Sequence, residues 1–219
     1  MSRFANRTAA GRELASRLKT FRSRNDVVVL GLPRGGVPVA FEVARSLSAP
    51  LDVMIVRKLG APGHPELAIG AIASGGVTVW NEHLTALVSQ EALRSIEARE
   101  QAELTRRERL YRAGRPAWSL RKRIVILVDD GAATGASMLA AVRALRQLEA
   151  DRIVVALPVA SSEACAILAR EADELVCLEQ PSLFYSVGEW YADFSQTTDE
   201  EVTDLLERAA AEMSRQSDG

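Results

Sequence analysis

Cysteine is scarce in this chain. Among 219 residues only Cys165 and Cys177 occur, both in apolar segments, which fits core packing and leaves no disulfide framework or cysteine-based metal site. No apolar run approaches the ~20 residues needed to cross a bilayer. The opening stretch, Met1 to Arg7, lacks the continuous apolar core of a signal peptide, so a reducing cytoplasmic home is expected. Neither sign of charge dominates. Lys and Arg number 27 against 29 Asp and Glu, and a net charge of −2 gives no general attraction to nucleic acid or to a membrane. Two phosphate-binding patterns, G-x-x-x-x-G-K-[ST] and G-x-G-x-x-G, are absent, which argues against a P-loop hydrolase or kinase and against a dinucleotide-binding oxidoreductase. Aromatics make up only 5%, and five of the eleven crowd between Phe184 and Phe194.

What remains is ordinary globular material, 47% hydrophobic and 26% charged. A single domain over residues 1–219 is expected, large enough to bury ~70% of its unfolded surface. Strand and helix patterns alternate. Ala10, Leu14, Leu18 and Phe21 form the stripe of an N-terminal helix. Strands are expected over 27–32, 51–56, 124–128, 153–159 and 174–178, with a hairpin of 67–73 and 77–80 joined through Ser74-Gly75-Gly76. Helices are expected up to residue 47, over 82–112, after residue 135, through residue 169 and over 199–213. Such βα repetition predicts an α/β fold with a mostly parallel sheet flanked by helices. The 82–112 helix interleaves arginines with glutamates, and Glu103–Arg107 and Glu108–Arg112 are spaced for i,i+4 pairing. That predicts a solvated helix, or a contact face for a homo-oligomer, rather than a nucleic-acid surface.

The stretch from Ile124 to Ser137 carries the chemistry. A short apolar run ends in Asp129 and Asp130, followed by Gly131-Ala132-Ala133-Thr134-Gly135-Ala136-Ser137 and then a helical pattern. Ligands of open α/β sheets bind beyond the carboxyl ends of the strands. Small side chains let backbone amides close around an anion, and the following helix adds its positive end. The carboxylates repel phosphate but suit vicinal hydroxyls. Ribose 5-phosphate satisfies both demands.

These residues resemble the 5-phosphoribosyl-1-diphosphate (PRPP) signature of type I phosphoribosyltransferases. By position, the resemblance gives Asp129 and Asp130 to the ribose hydroxyls. It gives Ala132, Ala133, Thr134, Gly135 and Ser137 to the 5′-phosphate. Ala133 departs from the family, where Thr or Ser is common, and removes one hydroxyl donor. The loop Gly31-Leu32-Pro33-Arg34-Gly35-Gly36, which alone could be a tight strand-to-helix turn, resembles the family's diphosphate-binding loop. Arg34, Gly35 and Gly36 then face diphosphate, and a non-proline cis bond at Pro33–Arg34 is implied.

A third stretch runs from Val56 to Leu67. Its Arg57 and Lys58 end a strand and are either solvated or contacts for diphosphate; the resemblance, which extends to the Arg57-Lys58-Leu59-Gly60 run, favours the second. It also implies a flexible catalytic loop here, with His64 a candidate base and Glu66 a candidate for metal or substrate. The aromatic segment is either a satellite core or a stacking surface. The family closes over its acceptor with a small variable hood. Here that maps to N- and C-terminal segments, about 179–198, around a core of about 27–178, and Phe184, Trp190 and Tyr191 become acceptor-site candidates. The implied activity is Mg2+-dependent transfer of 5-phosphoribosyl from PRPP to a nitrogenous small molecule, a nucleobase by family habit, with release of diphosphate. No direct protein ligand to the metal is assigned, with Asp129 and Asp130 reaching it through water. The alternative is a non-catalytic sensor of PRPP or nucleotide.

Overall fold

The apolar runs of the sequence become strands because both of their faces are covered. In the computed structural model, which describes residues 3–86 and 88–217 but not the side chains of Glu66, Gln216 and Ser217, α1 (Arg7–Arg17) leads into β1 (Val27–Gly31), α2 (Gly36–Leu47) and β2 (Leu51–Val53). Next come β3 (Val56–Ala61), β4 (His64–Ala73), β5 (Val77–Trp80), α3 (Glu82–Thr85) and α4 (Gln90–Arg112). The chain continues through β6 (Ile124–Val128), α5 (Ala136–Gln147), β7 (Arg152–Val159), α6 (Ser162–Glu171), β8 (Glu174–Glu179) and α7 (Asp199–Ser217). The main sheet is parallel throughout, in the order β2-β1-β6-β7-β8. Side chains alternate between its faces. Val27, Val29, Ile124 and Ile126 pack with Leu14 of α1, Phe41 of α2 and Leu205 of α7. Val28, Leu30, Val125 and Leu127 pack with Met138 and Val142 of α5 and Leu168 of α6. Each such fully buried aliphatic residue contributes about 1.5–3 kcal/mol, which is why neither face of these strands tolerates polar residues.

Three expectations need correction. The strand expected over 51–56 is two strands in different sheets. β2 stays in the main sheet; the Met54 amide donates to Gly31 O at 3.0 Å, the Ile55 amide to Ser74 Oγ at 3.0 Å, and the chain turns away into β3. The Gly- and Pro-rich stretch after Arg57 is not a loop. It forms an antiparallel hairpin of β3 with β4, and β5 completes a second sheet in the order β3-β4-β5. Irregular register around Gly60 accommodates the prolines, as prolines in strands require. Leu59, Ile69 and Ile72 anchor this sheet to Leu93, Ile96 and Leu104 of α4. Finally, the helix expected over 82–112 is interrupted. Ser89 caps α4, accepting from the Ala92 amide at 3.3 Å, a role that serine fills better than a helix interior.

Candidate functional site

Strands β1 and β6 are neighbours, with Gly31 paired to Val128, so the loops that follow them lie side by side at the carboxyl edge of the sheet. This brings Gly35 and Gly36 against Asp129 and Asp130. The fit is tight. A methyl on Gly35 would stand 2.1 Å from Asp130 Oδ2, and one on Gly36 would stand 2.8 Å from Val128 O and 2.9 Å from Asp129 Oδ1. The sequence points to this glycine pair as room for a ligand; the structure shows that the acid pair already claims the space. The Pro33–Arg34 peptide is cis, as the resemblance implies. Arg34 is half exposed, and its Nη1 lies 3.7 Å from Asp199 Oδ1, which also accepts from the Tyr111 hydroxyl at 2.7 Å.

The two carboxylates differ in surroundings. Asp129 accepts from the Asp130 amide at 2.9 Å and has no cationic partner in contact among the described residues. Burial, then the charge of Asp130, pushes its carboxyl well above the usual range. Burial also raises Asp130, but there the Arg7 guanidinium opposes the shift from 2.8 Å. Two such carboxylates reward a ligand that supplies hydroxyl donors or a cation.

Next along the chain, the small-residue loop turns into α5 at Gly135, whose φ of 71° is costly for residues with a side chain. Ser161 braces the turn from the following βα loop, its hydroxyl donating to Ala133 O at 2.6 Å. Ala133, Thr134 and Ser137 are exposed at the helix N-terminus. Ala132 is different: it is buried, and its amide donates to Val159 O at 3.0 Å, so it has no amide to offer a phosphate. Among the described residues the amides of Ala133, Thr134, Gly135 and Ser137 have no protein acceptor.

The remaining candidates scatter. Arg57 lies on β3 and turns to Glu100 of α4, giving Nε and Nη2 to Oε2 at 2.7 and 2.5 Å. Its neighbour Lys58 points to the opposite side of the strand, exposed, into a cavity of about 560 Å3 that also touches Trp80, His83, Ser137 and Arg143. Of the two cations, Lys58 is the one near the phosphate-type loop. His64 is exposed at the hairpin tip, and Glu66 sits in β4 with its side chain outside the described residues. Trp190 and Phe184 are half-buried; Trp190 packs on Phe4, Ala10 and Tyr191. Tyr191 is a correction. Its ring is buried between Phe4 and Phe194, at 5.5 and 5.1 Å between centroids, which leaves no face for a base. Instead its hydroxyl donates to Asp130 O at 2.5 Å. Sequence reasoning missed Arg7, Ser161, Glu100 and Phe194. Ser161 alone carried a local signal, as a serine directly before a helical pattern.

A metal was expected, and the donor set bears on it. Asp129 and Asp130 are hard oxygen donors of the type Mg2+ takes. Among the described residues no group of three or more His, Cys, Asp or Glu could hold a metal ion. No helix among the described residues is long and apolar enough to cross a membrane.

Comparison with known proteins shows the family. The family model described as "Phosphoribosyl transferase domain" matches residues 4–194. Two Mycobacterium tuberculosis proteins, "Putative phosphoribosyl transferase MT0597" of strain CDC 1551 / Oshkosh and "Putative phosphoribosyl transferase Rv0571c" of strain ATCC 25618 / H37Rv, are each 49% identical over 211 residues. The match takes in 95% of this chain and 47% of theirs, so the chain spans about half the length of these curated relatives. The crystal structure of TT1426 from Thermus thermophilus is 47% identical and superposes with a TM-score of 0.83, over 93% of this chain and 97% of that one. The chain belongs to the phosphoribosyl transferase domain family.

Proposed function

We propose that this chain transfers the 5-phosphoribosyl group of PRPP to a nitrogenous small molecule, a nucleobase in the first instance, releasing diphosphate. One observation carries the reading: paired carboxylates stand beside a loop of unpaired amides at the N-terminus of α5, at the carboxyl edge of a parallel sheet. Asp129 and Asp130 accept the ribose 2- and 3-hydroxyls, and the amides of Ala133, Thr134, Gly135 and Ser137 hold the 5′-phosphate. Arg34 and Lys58 face the diphosphate, and Phe184 and Trp190 stay as candidates to line the acceptor. Mg2+, held by Asp129 and Asp130 through water, would neutralise diphosphate charge when bound. The anomeric carbon develops positive charge as its bond to diphosphate breaks, and the acceptor nitrogen forms the new bond from the opposite side. Catalysis then rests on alignment and on cations at the leaving group, with no protein nucleophile.

Incubation of the protein with Mg2+, PRPP and a panel of purine and pyrimidine bases tests this through diphosphate release. Release that depends on one base supports the transfer reading. A PRPP-sensing role has one observation in its favour, the engagement of Arg57 by Glu100, which withdraws a cation from the leaving group. Stoichiometric PRPP binding without diphosphate release, across the panel, favours that role. Absence of any binding by PRPP or ribose 5-phosphate defeats both.

A further inference from the structure

The most heavily tied side chain near the acid pair belongs to Arg7, at the start of α1. Its Nε meets Asp130 Oδ2 at 2.8 Å, and its Nη1 donates to Ser195 O at 2.7 Å. The guanidinium lies over the Phe194 ring, 3.9 Å from the centroid. Both partners of the ion pair are enclosed, with side-chain exposures of 12% and 14%. The surroundings reinforce the connection. The Phe4 amide donates to Trp190 O at 2.8 Å, the Ala192 amide to Phe4 O at 2.8 Å and the Asp193 amide to Ala5 O at 3.0 Å, so the segments 4–5 and 190–193 are stitched side by side. From that seam Tyr191 reaches Asp130 O while Arg7 reaches the Asp130 carboxylate. Gly35 backs the same contact: a methyl there would stand 2.1 Å from Asp130 Oδ2 and 3.2 Å from Arg7 Nε, so only glycine leaves room for the pair.

We propose that Arg7 is a positioning residue: it fixes the Asp130 carboxylate in the orientation that receives a ribose diol, and it ties that carboxylate to the C-terminal aromatic segment. The inference rests on the ribose-binding role given to the acid pair above. A carboxylate offers about four lone-pair sites. Arg7 takes one of them at Oδ2 and leaves the others aimed by a planar fork that cannot rotate without losing Ser195 O. Without Arg7 nothing holds the Asp130 carboxylate against rotation, and a turned side chain costs it the second hydroxyl. The amides that grip phosphate lie beyond Gly131 and do not touch Arg7, so the two halves of the ligand separate the roles.

Calorimetric titrations with ribose 5-phosphate and, separately, with inorganic phosphate test the proposal. Arg7→Gln is expected to weaken ribose 5-phosphate binding about tenfold, equivalent to ~1.4 kcal/mol, with little change for inorganic phosphate. Arg7→Lys keeps a cation but loses the fork spanning Asp130 and Ser195, and its loss of about threefold is expected to be equally selective. If circular dichroism shows Arg7→Gln unfolded, Arg7→Lys decides on the same criterion. A parallel loss for both ligands marks a structural staple only and overturns the proposal; so does unchanged affinity. A wild-type protein that binds no ribose 5-phosphate removes the ribose-binding reading itself, and this inference with it.

Discussion

Substituting Gly35 by alanine places a methyl carbon 2.1 Å from Asp130 Oδ2, 2.8 Å from Asp130 Cγ and 3.2 Å from Arg7 Nε. Carbon and oxygen in contact need a little over about 3 Å, so the overlap exceeds roughly 1 Å and cannot be absorbed in place. The atoms in the way belong to a short side chain, which can rotate. Rotation breaks the 2.8 Å bond to Arg7 and moves the carboxylate from the ribose position. Relief of overpacking costs about 1–3 kcal/mol, and loss of a hydrogen bond between charged groups adds about 1.5–3 kcal/mol. Gly36→Ala meets backbone instead, with Val128 O at 2.8 Å and Asp129 Cα at 2.9 Å. There the sheet edge must shift, so the damage falls on stability. The expected contrast is therefore a folded Gly35→Ala protein with a destabilisation of about 2.5–6 kcal/mol and at least about tenfold weaker ribose 5-phosphate binding, against a Gly36→Ala protein harmed chiefly in folding. Denaturant unfolding gives the first quantity and calorimetry the second. Wild-type affinity in a stable Gly35→Ala protein would refute the close approach of the two loops.

Outcomes for four further variants are expected. Asp129 is held well above the ordinary carboxylate range by burial and by Asp130, so its stabilising contribution is full below the unfolded value of about 3.9 and is lost as pH rises through the folded value. Asp129→Asn should thus gain in Tm relative to wild type from acid towards neutral pH, and a constant difference would contradict the burial. Burial and Asp199 push the Tyr111 hydroxyl up to about 12, so wild-type stability should fall as pH rises from the ordinary tyrosine value of about 10 through that value. Tyr111→Phe should flatten that fall in an alkaline unfolding series. Lys58→Ala, at an exposed position, should weaken diphosphate binding with stability changed by less than about 0.5 kcal/mol. Arg57→Ala leaves the enclosed Glu100 carboxylate with only the exposed Arg99, at 3.0 Å, and should lose about 1–3 kcal/mol of stability; identical stability of the two variants would argue against the different faces assigned to these neighbours.

The strand and turn of residues 124–137 are legible because their requirements are local: a strand covered on both faces reads as an apolar run, and the turn reads as small residues around a left-handed glycine, whereas the Ala132 amide, paired with Val159 O of the next strand, is not. The β3–β4 hairpin was hidden by Gly60, Pro62, Gly63 and Pro65, which read as loop until Leu59 and Ile69 find α4. The Arg7–Asp130 contact joins positions 123 residues apart, and no spacing pattern along the chain records it. Tyr191 shows a different limit. An aromatic in an irregular segment can line a pocket or support it from behind, and only the burial of its ring between Phe4 and Phe194 decides. The partnership of Arg57 with Glu100 is equally invisible, since it depends on how the second sheet meets α4.

Titration of ribose 5-phosphate into the wild-type chain and into an Asp129→Asn, Asp130→Asn variant is the most direct test of the site. Two lost hydrogen bonds to charged groups, at about 1.5–3 kcal/mol each, predict at least a hundredfold weaker binding in a variant that keeps its fold and its affinity for inorganic phosphate. Equal affinity of the two proteins for ribose 5-phosphate would contradict the account.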